Sequence, residues 1–116
     1  MLDANFDAGT LHLLRARVTA CARAVGMPAE RAGDVMLAVS ELAANTIRHG
    51  PGRGRLRMGT AGGLLRCLIS DDGPGSRTWP VRRGHGLWIV RTLADQVTVS
   101  AGPRGSLVTA AFAIPN

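Results

Sequence analysis

"SELAANTIRHG", residues 40–50, sets a carboxylate, an amide and an imidazole inside an otherwise apolar pattern that stops at Gly50. Read at about 100° per residue, Val35, Val39, Leu42, Ala43 and Thr46 fall on one stripe that has to face a core. Asp34, Ala38, Glu41, Asn45 and His49 fall on a second stripe. Glu41 and Asn45 are therefore one helical turn apart and point the same way. A solvated face accounts for such a pair as readily as a ligand does, so the rest of the chain has to decide between them.

Working outward, Pro28 suits the first turn of this helix, which runs to about Arg48 and ends at "HGPG". Before it, Leu11, Leu14, Val18, Cys21 and Val25 keep helical spacing, predicting a helix that starts at Asp7 or Thr10 and stops at Gly26. Residues 2–6 read as a short strand. After the central helix, "RLRMGT" and "LLRCLISD" read as two strands joined at "AGG". "DDGPGSRTWPVRRGHG", residues 71–86, has no periodicity and reads as a loop. "GLWIVRTLADQ" reads as a third helix, apolar at Leu87, Val90 and Ala94, and "VTVS" and "SLVTAAFAI" as a closing hairpin around "AGPRG". The order β-α-α-β-β-loop-α-β-β predicts an α+β two-layer sandwich, helices on one face of a mostly antiparallel sheet.

Composition bounds the function. The 116 residues make one domain, residues 1–116, with 46% hydrophobic residues but only 3% aromatics, so its core is Leu, Val, Ile and Ala. No apolar run approaches the roughly 20 residues needed to cross a bilayer. The N-terminus has neither a basic nor an apolar signal region, which reads as a cytoplasmic protein. Cys21 and Cys67 lie inside apolar patterns and read as buried free thiols. The net charge is +6, all 14 basic residues are Arg, and there is no Lys. The missing Lys excludes a P-loop and the ordinary protein-kinase fold. The arginines are spread along the whole chain, which argues against a dedicated nucleic-acid surface. The three His residues are far apart, with no metal-ligand spacing between them.

Two further segments bear on Glu41 and Asn45. "SDDGPGS", residues 70–76, ends an apolar strand on Asp71, with Gly73 and Gly75 free to let backbone approach a flat ligand or simply to turn. "GHGLWIV", residues 84–90, sets Gly84, His85, Gly86 and Leu87 at the opening of a helix, where free N–H groups attract anions, with Arg77, Arg82 and Arg83 just before it. Each alone is also an ordinary turn or cap. E-x-x-x-N on a helix, D-x-G-x-G after a strand and G-x-G-L opening a helix, in that order, are far more specific together.

In these three motifs the chain resembles the GHKL ATPases of the Bergerat fold, and within them the bacterial anti-sigma-factor serine kinases, over Asp7 to Ile114. The resemblance implies ATP and Mg²⁺ as cofactors. It implies Asn45 as the Mg²⁺ ligand, Glu41 as the general base, and Asp71 as acceptor for the adenine amino group. It implies Gly73 and Gly75 under the base, Gly84 and Gly86 beside the phosphates, and Ser106 in support of the adenine contact where many relatives have Thr. Arg82 and Arg83, in a lid "SRTWPVRR" that is short for the family, would pair with phosphate oxygens. The implied activity is partner switching in the cytoplasm. The protein, as a homodimer, would hold a sigma factor and phosphorylate Ser or Thr on a STAS-type antagonist, with no direct contact to nucleic acid or membrane. Arg15, Arg17 and Arg23 would offer a docking face on the first helix. No phosphoacceptor helix pair precedes the domain and no transducer domain follows, which points away from histidine kinases and gyrases. The alternatives are an ATP-binding switch without phosphotransfer, a basic nucleic-acid-binding module and an ATPase acting on water.

Overall fold

The structure, a computed structural model, describes residues 1–73 and 87–115. Five strands, β1 (Leu2–Asp7), β2 (Arg53–Ala61), β3 (Leu64–Asp71), β4 (Gln96–Gly102) and β5 (Gly105–Ala113), form one sheet in the order β1-β2-β3-β5-β4. All four pairings are antiparallel. Three helices, α1 (Leu11–Ala24), α2 (Ala29–His49) and α3 (Leu87–Leu93), lie against it. The expected α+β sandwich is borne out, and the sheet is antiparallel throughout.

Alternation explains why the helices take one face. In β1, Leu2, Ala4 and Phe6 are buried while Asp3, Asn5 and Asp7 are exposed. The same phase carries Leu56 and Met58 of β2, and Leu65, Cys67 and Ile69 of β3, into the core. Side chains two apart share a face of a sheet, so one helical layer buries them all. From α2 come Val35, Val39, Leu42, Ala43 and Thr46, the stripe that the sequence assigns to the core, and all are buried. Phe112 of β5 is fully buried beneath them. Truncating a side chain of that size in a packed core costs about 3–5 kcal/mol.

Glycine fixes the connections. Gly62 and Gly63 join β2 to β3 with φ of +58° and +77°, the paired positive φ of a tight hairpin whose twist matches its strands. Gly26, at φ +100°, ends α1, and the Met27 N–H reaches back to the Ala22 carbonyl at 3.1 Å.

Three boundaries differ from the sequence reading. Asp7 does not begin α1 but ends β1. Its Oδ1 accepts from the N–H groups of Gly9 (2.9 Å) and Thr10 (3.1 Å), so it closes the turn that leads into the helix at Leu11. Pro28 stands one position earlier than expected, at the N-cap of α2, with extended backbone at φ −62°, ψ 159°. The third helix stops at Leu93, because the Asp95 N–H bonds across to the Ala111 carbonyl (2.9 Å) and Gln96 already pairs with β5.

One side chain ties these ends together. Arg31, near the start of α2, donates to the Leu93 carbonyl at 2.7 Å and to Asp95 Oδ2 at 3.0 Å, and it pairs with Asp34 at 3.2 Å. Its guanidinium carbon lies 5.1 Å from the centre of the Phe112 ring. Asp95 Oδ2 also accepts from the Ala113 N–H at 2.7 Å. Asp34, placed on the second stripe of the central helix, thus has a structural partner.

Both cysteines are free. Cys67 is fully buried and burial pushes its thiol up to about 12. Cys21, expected to be buried, is half-buried, and burial again raises its thiol. Among the described residues no helix is long and apolar enough to cross a membrane.

Candidate functional site

The strand β3 carries Asp71 to the end of the sheet in the same phase as Leu65, Cys67 and Ile69, so its side chain turns to the helical face. Directly opposite in the register is Ser106 of β5. The Ser106 hydroxyl donates to Asp71 Oδ2 at 2.5 Å, and the Gly73 N–H donates to Asp71 Oδ1 at 3.1 Å. Both oxygens are thereby oriented, and each keeps a lone pair for a further donor. Ser106 is 7% exposed and Asp71 half-buried, so this is a part-buried hydrogen bond to a carboxylate, a stronger kind than one between neutral groups.

Two glycines make the approach possible. A Cβ on Gly105 would stand 2.1 Å from the Asp71 carbonyl oxygen and 3.1 Å from Asp72 Cα, and the residue has φ +141°. Gly105 therefore lets the β4–β5 hairpin lie directly against the end of β3. A Cβ on Gly73 would stand 2.9 Å from Pro51 Cβ. Pro51 follows α2, so this packing brings the Asp-Gly motif beside the exit of the helix that carries Glu41 and Asn45. Sequence reasoning named Gly73 but missed Gly105 and Pro51. The only signal for Gly105 was its place before Ser106 in a turn, and for Pro51 its place in "HGPG".

The second stripe of α2 is not a solvated face. Ala38 is fully buried and Asn45 is 2% exposed, while Glu41 is half-buried and His49 is exposed. Glu41 has no hydrogen bond or ion pair within the described structure. The one hydrogen bond to the Asn45 side chain is long, 3.5 Å from an Arg48 guanidinium nitrogen to Oδ1. Buried amides are ordinarily satisfied, so Asn45 has the character of a group awaiting a ligand.

An amide oxygen is a hard neutral donor of the kind Mg²⁺ accepts when most of its other ligands are water or phosphate. Among the described residues no group of three or more His, Cys, Asp and Glu side chains could hold a metal by itself. A metal that arrives with a nucleotide fits this donor set better than a resident one. Leu87 belongs to the core and is buried, so only its backbone is available to a ligand. Gly75, Arg77, Trp79, Arg82, Arg83, Gly84, His85 and Gly86 lie outside the described residues.

A cavity of about 640 Å³ opens at the same end, lined by Asn5, Thr10, Arg53, Ser70, Asp71 and Asp72 among others. It borders Asp71 at the β1–β2 side, and neither Asn45, Glu41 nor Ser106 lines it. The cavity therefore reaches the carboxylate, while the hydroxyl and the buried amide are not part of its lining.

The family model described as Histidine kinase-like ATPase domain matches residues 4–112. The chain belongs to that family. Several solved structures share the fold. One is that of the RsbU and RsbW domains of Rv1364c from Mycobacterium tuberculosis, at TM-score 0.76 and 18% identity, covering 98% of this chain and 32% of that one. Another is the histidine kinase domain of the Erythrobacter litoralis EL346 blue-light activated histidine kinase, at TM-score 0.66 and 26% identity, covering 90% and 65%. A third is the Acinetobacter baumannii histidine kinase AdeS, at TM-score 0.60 and 16% identity, covering 100% and 69%. The chain thus spans about a third of the first of these proteins and just under two thirds of the second. No curated protein sequence matches it.

Proposed function

We propose that this histidine kinase-like ATPase domain binds ATP with Mg²⁺ and works in the cytoplasm as a regulator of the anti-sigma-factor type. In that role it holds a sigma factor and transfers the γ-phosphoryl group to a Ser or Thr of a STAS-type antagonist, as a homodimer. The observation that carries the nucleotide half is Asp71, a carboxylate with both oxygens fixed by Gly73 and Ser106, at the end of a strand whose next turn packs on Pro51 at the exit of α2. Its free lone pairs select an amino group, so they accept adenine and refuse the carbonyl of guanine. The acceptor half rests on the resemblance of "LAVSELAANTIRHG" and "GHGLWIV" to the anti-sigma-factor serine kinases.

Each residue then has a task. Asp71 and Ser106 orient the base, and Gly73 and Gly75 leave its face uncovered. Asn45 presents Oδ1 to the divalent ion, which when bound offsets phosphate charge. Glu41, one turn away on the same stripe, takes the proton of the acceptor hydroxyl as the hydroxyl oxygen forms its bond to the γ-phosphorus. The bond from that phosphorus to the β,γ-bridging oxygen breaks, and ADP leaves with the electron pair. Arg82, Arg83, Gly84, His85 and Gly86 face the phosphates in this reading.

In this reading α1 offers the docking face, and two of its three arginines also bond within the protein. Arg15 donates to Ser40 Oγ of α2 at 2.7 Å and Arg23 donates to the Met27 carbonyl at 3.1 Å. All three arginines are exposed, as is Leu13, and so stay available to a partner.

Calorimetric titration with ATP and GTP, each with and without Mg²⁺, tests the nucleotide half. Selective, Mg²⁺-enhanced ATP binding is expected, and binding of neither nucleotide would sink it. A second reading, an ATP-dependent switch without phosphotransfer, is favoured by the lack, among the described residues, of a partner that orients Glu41. Transfer of labelled phosphate to a Ser-bearing STAS protein that is lost in Glu41→Ala decides for the kinase. ATP binding without transfer decides for the switch.

A further inference from the structure

The five-stranded sheet has two edges, and they are built differently. β1 forms one, and its exposed positions are Asp3, Asn5 and Asp7, with Asp3 bonded twice by Arg55. Charged side chains are a common guard on an edge, whose outward N–H and C=O groups are otherwise open to another strand. β4 forms the other edge, and its sequence QVTVSAG holds no charged residue and no Pro. Among the described elements β4 packs on β5 and α3, and no strand lies beyond it.

The side chains of this edge suit a strand partner. Val97 and Val99 stand opposite Ala110 and Val108 of β5, on the helical face. They pack against the core yet stay only half-buried. Thr98 and Ser100, on the other face, are exposed. β-branched residues on both faces favour cross-strand pairing, and an added strand would cover the valines with its own apolar side chains. Charge marks the two ends. Arg91 lies in the last turn of α3, just before β4, and Arg104 lies in the turn just after it. Both are exposed, and neither has a partner among the described residues. Asp95, the carboxylate nearest the start of the strand, is already taken by Arg31 and the Ala113 N–H. The seven residues of β4 span about 23 Å, so a neutral edge is bracketed along the chain by two unpaired guanidinium groups.

We propose that the β4 edge docks an extended segment of another protein, about seven residues long, apolar at alternate positions and acidic at both ends. The segment adds as a sixth strand, exchanging backbone hydrogen bonds with β4 while its carboxylates meet Arg91 and Arg104. A second copy of this chain is a poor occupant. Antiparallel self-pairing of β4 sets Arg91 of one copy beside Arg104 of the other, and parallel pairing sets each beside its twin. Like charges meet either way. The proposal stands apart from the nucleotide reading, and its test uses no nucleotide.

Fluorescence anisotropy with labelled peptides provides that test on the whole chain. The probe is EVTVTVE with blocked termini, set against KVTVTVK and two N-methylated forms of the acidic peptide, one at its odd amides and one at its even. An exposed ion pair is weak singly, but turning two attractions into two repulsions is worth about tenfold. EVTVTVE should therefore bind about tenfold more tightly than KVTVTVK at low salt, with a gap that narrows as salt is added. Only alternate N–H groups of an added strand face β4, so one methylated form should match the parent and the other should bind about tenfold more weakly. Reversing both ends, Arg91→Glu with Arg104→Glu, should pass the preference to KVTVTVK.

Equal binding of acidic and basic peptides, equal loss in both methylated forms, or no binding of EVTVTVE overturns the proposal. So does self-association of the protein in sedimentation that Thr98→Lys abolishes, since the edge then belongs to a second copy. The peptide comparisons use the native protein and decide the matter even where a variant fails to fold.

Discussion

At the β3–β5 end of the site Asp71 arrives with both carboxylate oxygens committed, one to a backbone N–H and one to the Ser106 hydroxyl. On α2, by contrast, Glu41 has no partner within the described structure and Asn45 only the long contact to Arg48. The difference follows from what holds each half. A strand pair fixes the backbone of Asp71 against that of Ser106 through the sheet register, so the side chains have little choice. A helix fixes only where its side chains start. Asp71 is therefore organised by the fold, whereas Glu41 and Asn45 are left for whatever binds there to arrange. In the proposed reading Asp71 reads the base and the other two face the phosphates. Such preorganisation reduces what the base must lose in freedom on binding.

The largest blow to that contrast is Gly105→Ala. A methyl group 2.1 Å from the Asp71 carbonyl, on a residue at φ +141°, has nowhere to go. Strain and overpacking together should cost about 3 kcal/mol or more, read as a fall in melting temperature, and ATP affinity should fall with it. Unchanged melting would mean that the hairpin does not bear on β3. Next is Asp71→Asn, which turns one of two oriented acceptors into a donor that faces a donor. We expect ATP to bind about a hundredfold more weakly, near 2.7 kcal/mol, with or without Mg²⁺ and with little change in stability.

Asn45→Ala sharpens the comparison from the other side. ATP affinity should drop about tenfold when Mg²⁺ is present and hardly at all in EDTA. An equal loss in both would show that the amide serves folding. The effect nearest zero at neutral pH is chemical. Burial lifts the Cys67 thiol from its ordinary 9.0 to about 12, so at pH 8 a thiol reagent should modify Cys21 and leave Cys67 silent until denaturant is added. Above pH 9 the unfolded chain ionises Cys67 and the folded chain does not. Stability is then full below pH 9 and declines toward pH 12, by at most about 1.4 kcal/mol per pH unit. Cys67 should stay silent in Asp71→Asn and Asn45→Ala, and become reactive in Gly105→Ala.

What could be read in the chain was whatever repeats within a few residues. The core stripe of α2 follows from the helical period, and the end of β3 from an apolar run that meets two carboxylates. Asp7 was ambiguous because an Asp before Thr and Leu suits both a helix start and a turn after a strand, and only the pairing of β1 with β2 chooses. The bond from Ser106 to Asp71 spans 35 residues and was approached only through the family's likeness, not through spacing. Arg31 was invisible, since its partners Leu93 and Asp95 stand 62 and 64 residues away. The bond from Arg15 to Ser40 was hidden as well, because a polar helix face reads the same whether its charges meet solvent or an element 25 residues away, whereas Arg23 reaches only four residues on to Met27.

Arg31 also sets how α3 can move. The helix is tied at its C-terminal end, where the Leu93 carbonyl and Asp95 are both held by that one guanidinium. Its seven residues make a rod about 10 Å long. A displacement of the far end, at Leu87, is then a swing about Leu93 and not a slide along the sheet. A tilt of about 10° carries that end about 2 Å by the same geometry, the scale of a side chain's reach. Leu87 and Val90, both buried, are the side chains that have to slip past α2 for the rod to turn, and the ease of that slip governs how far it goes.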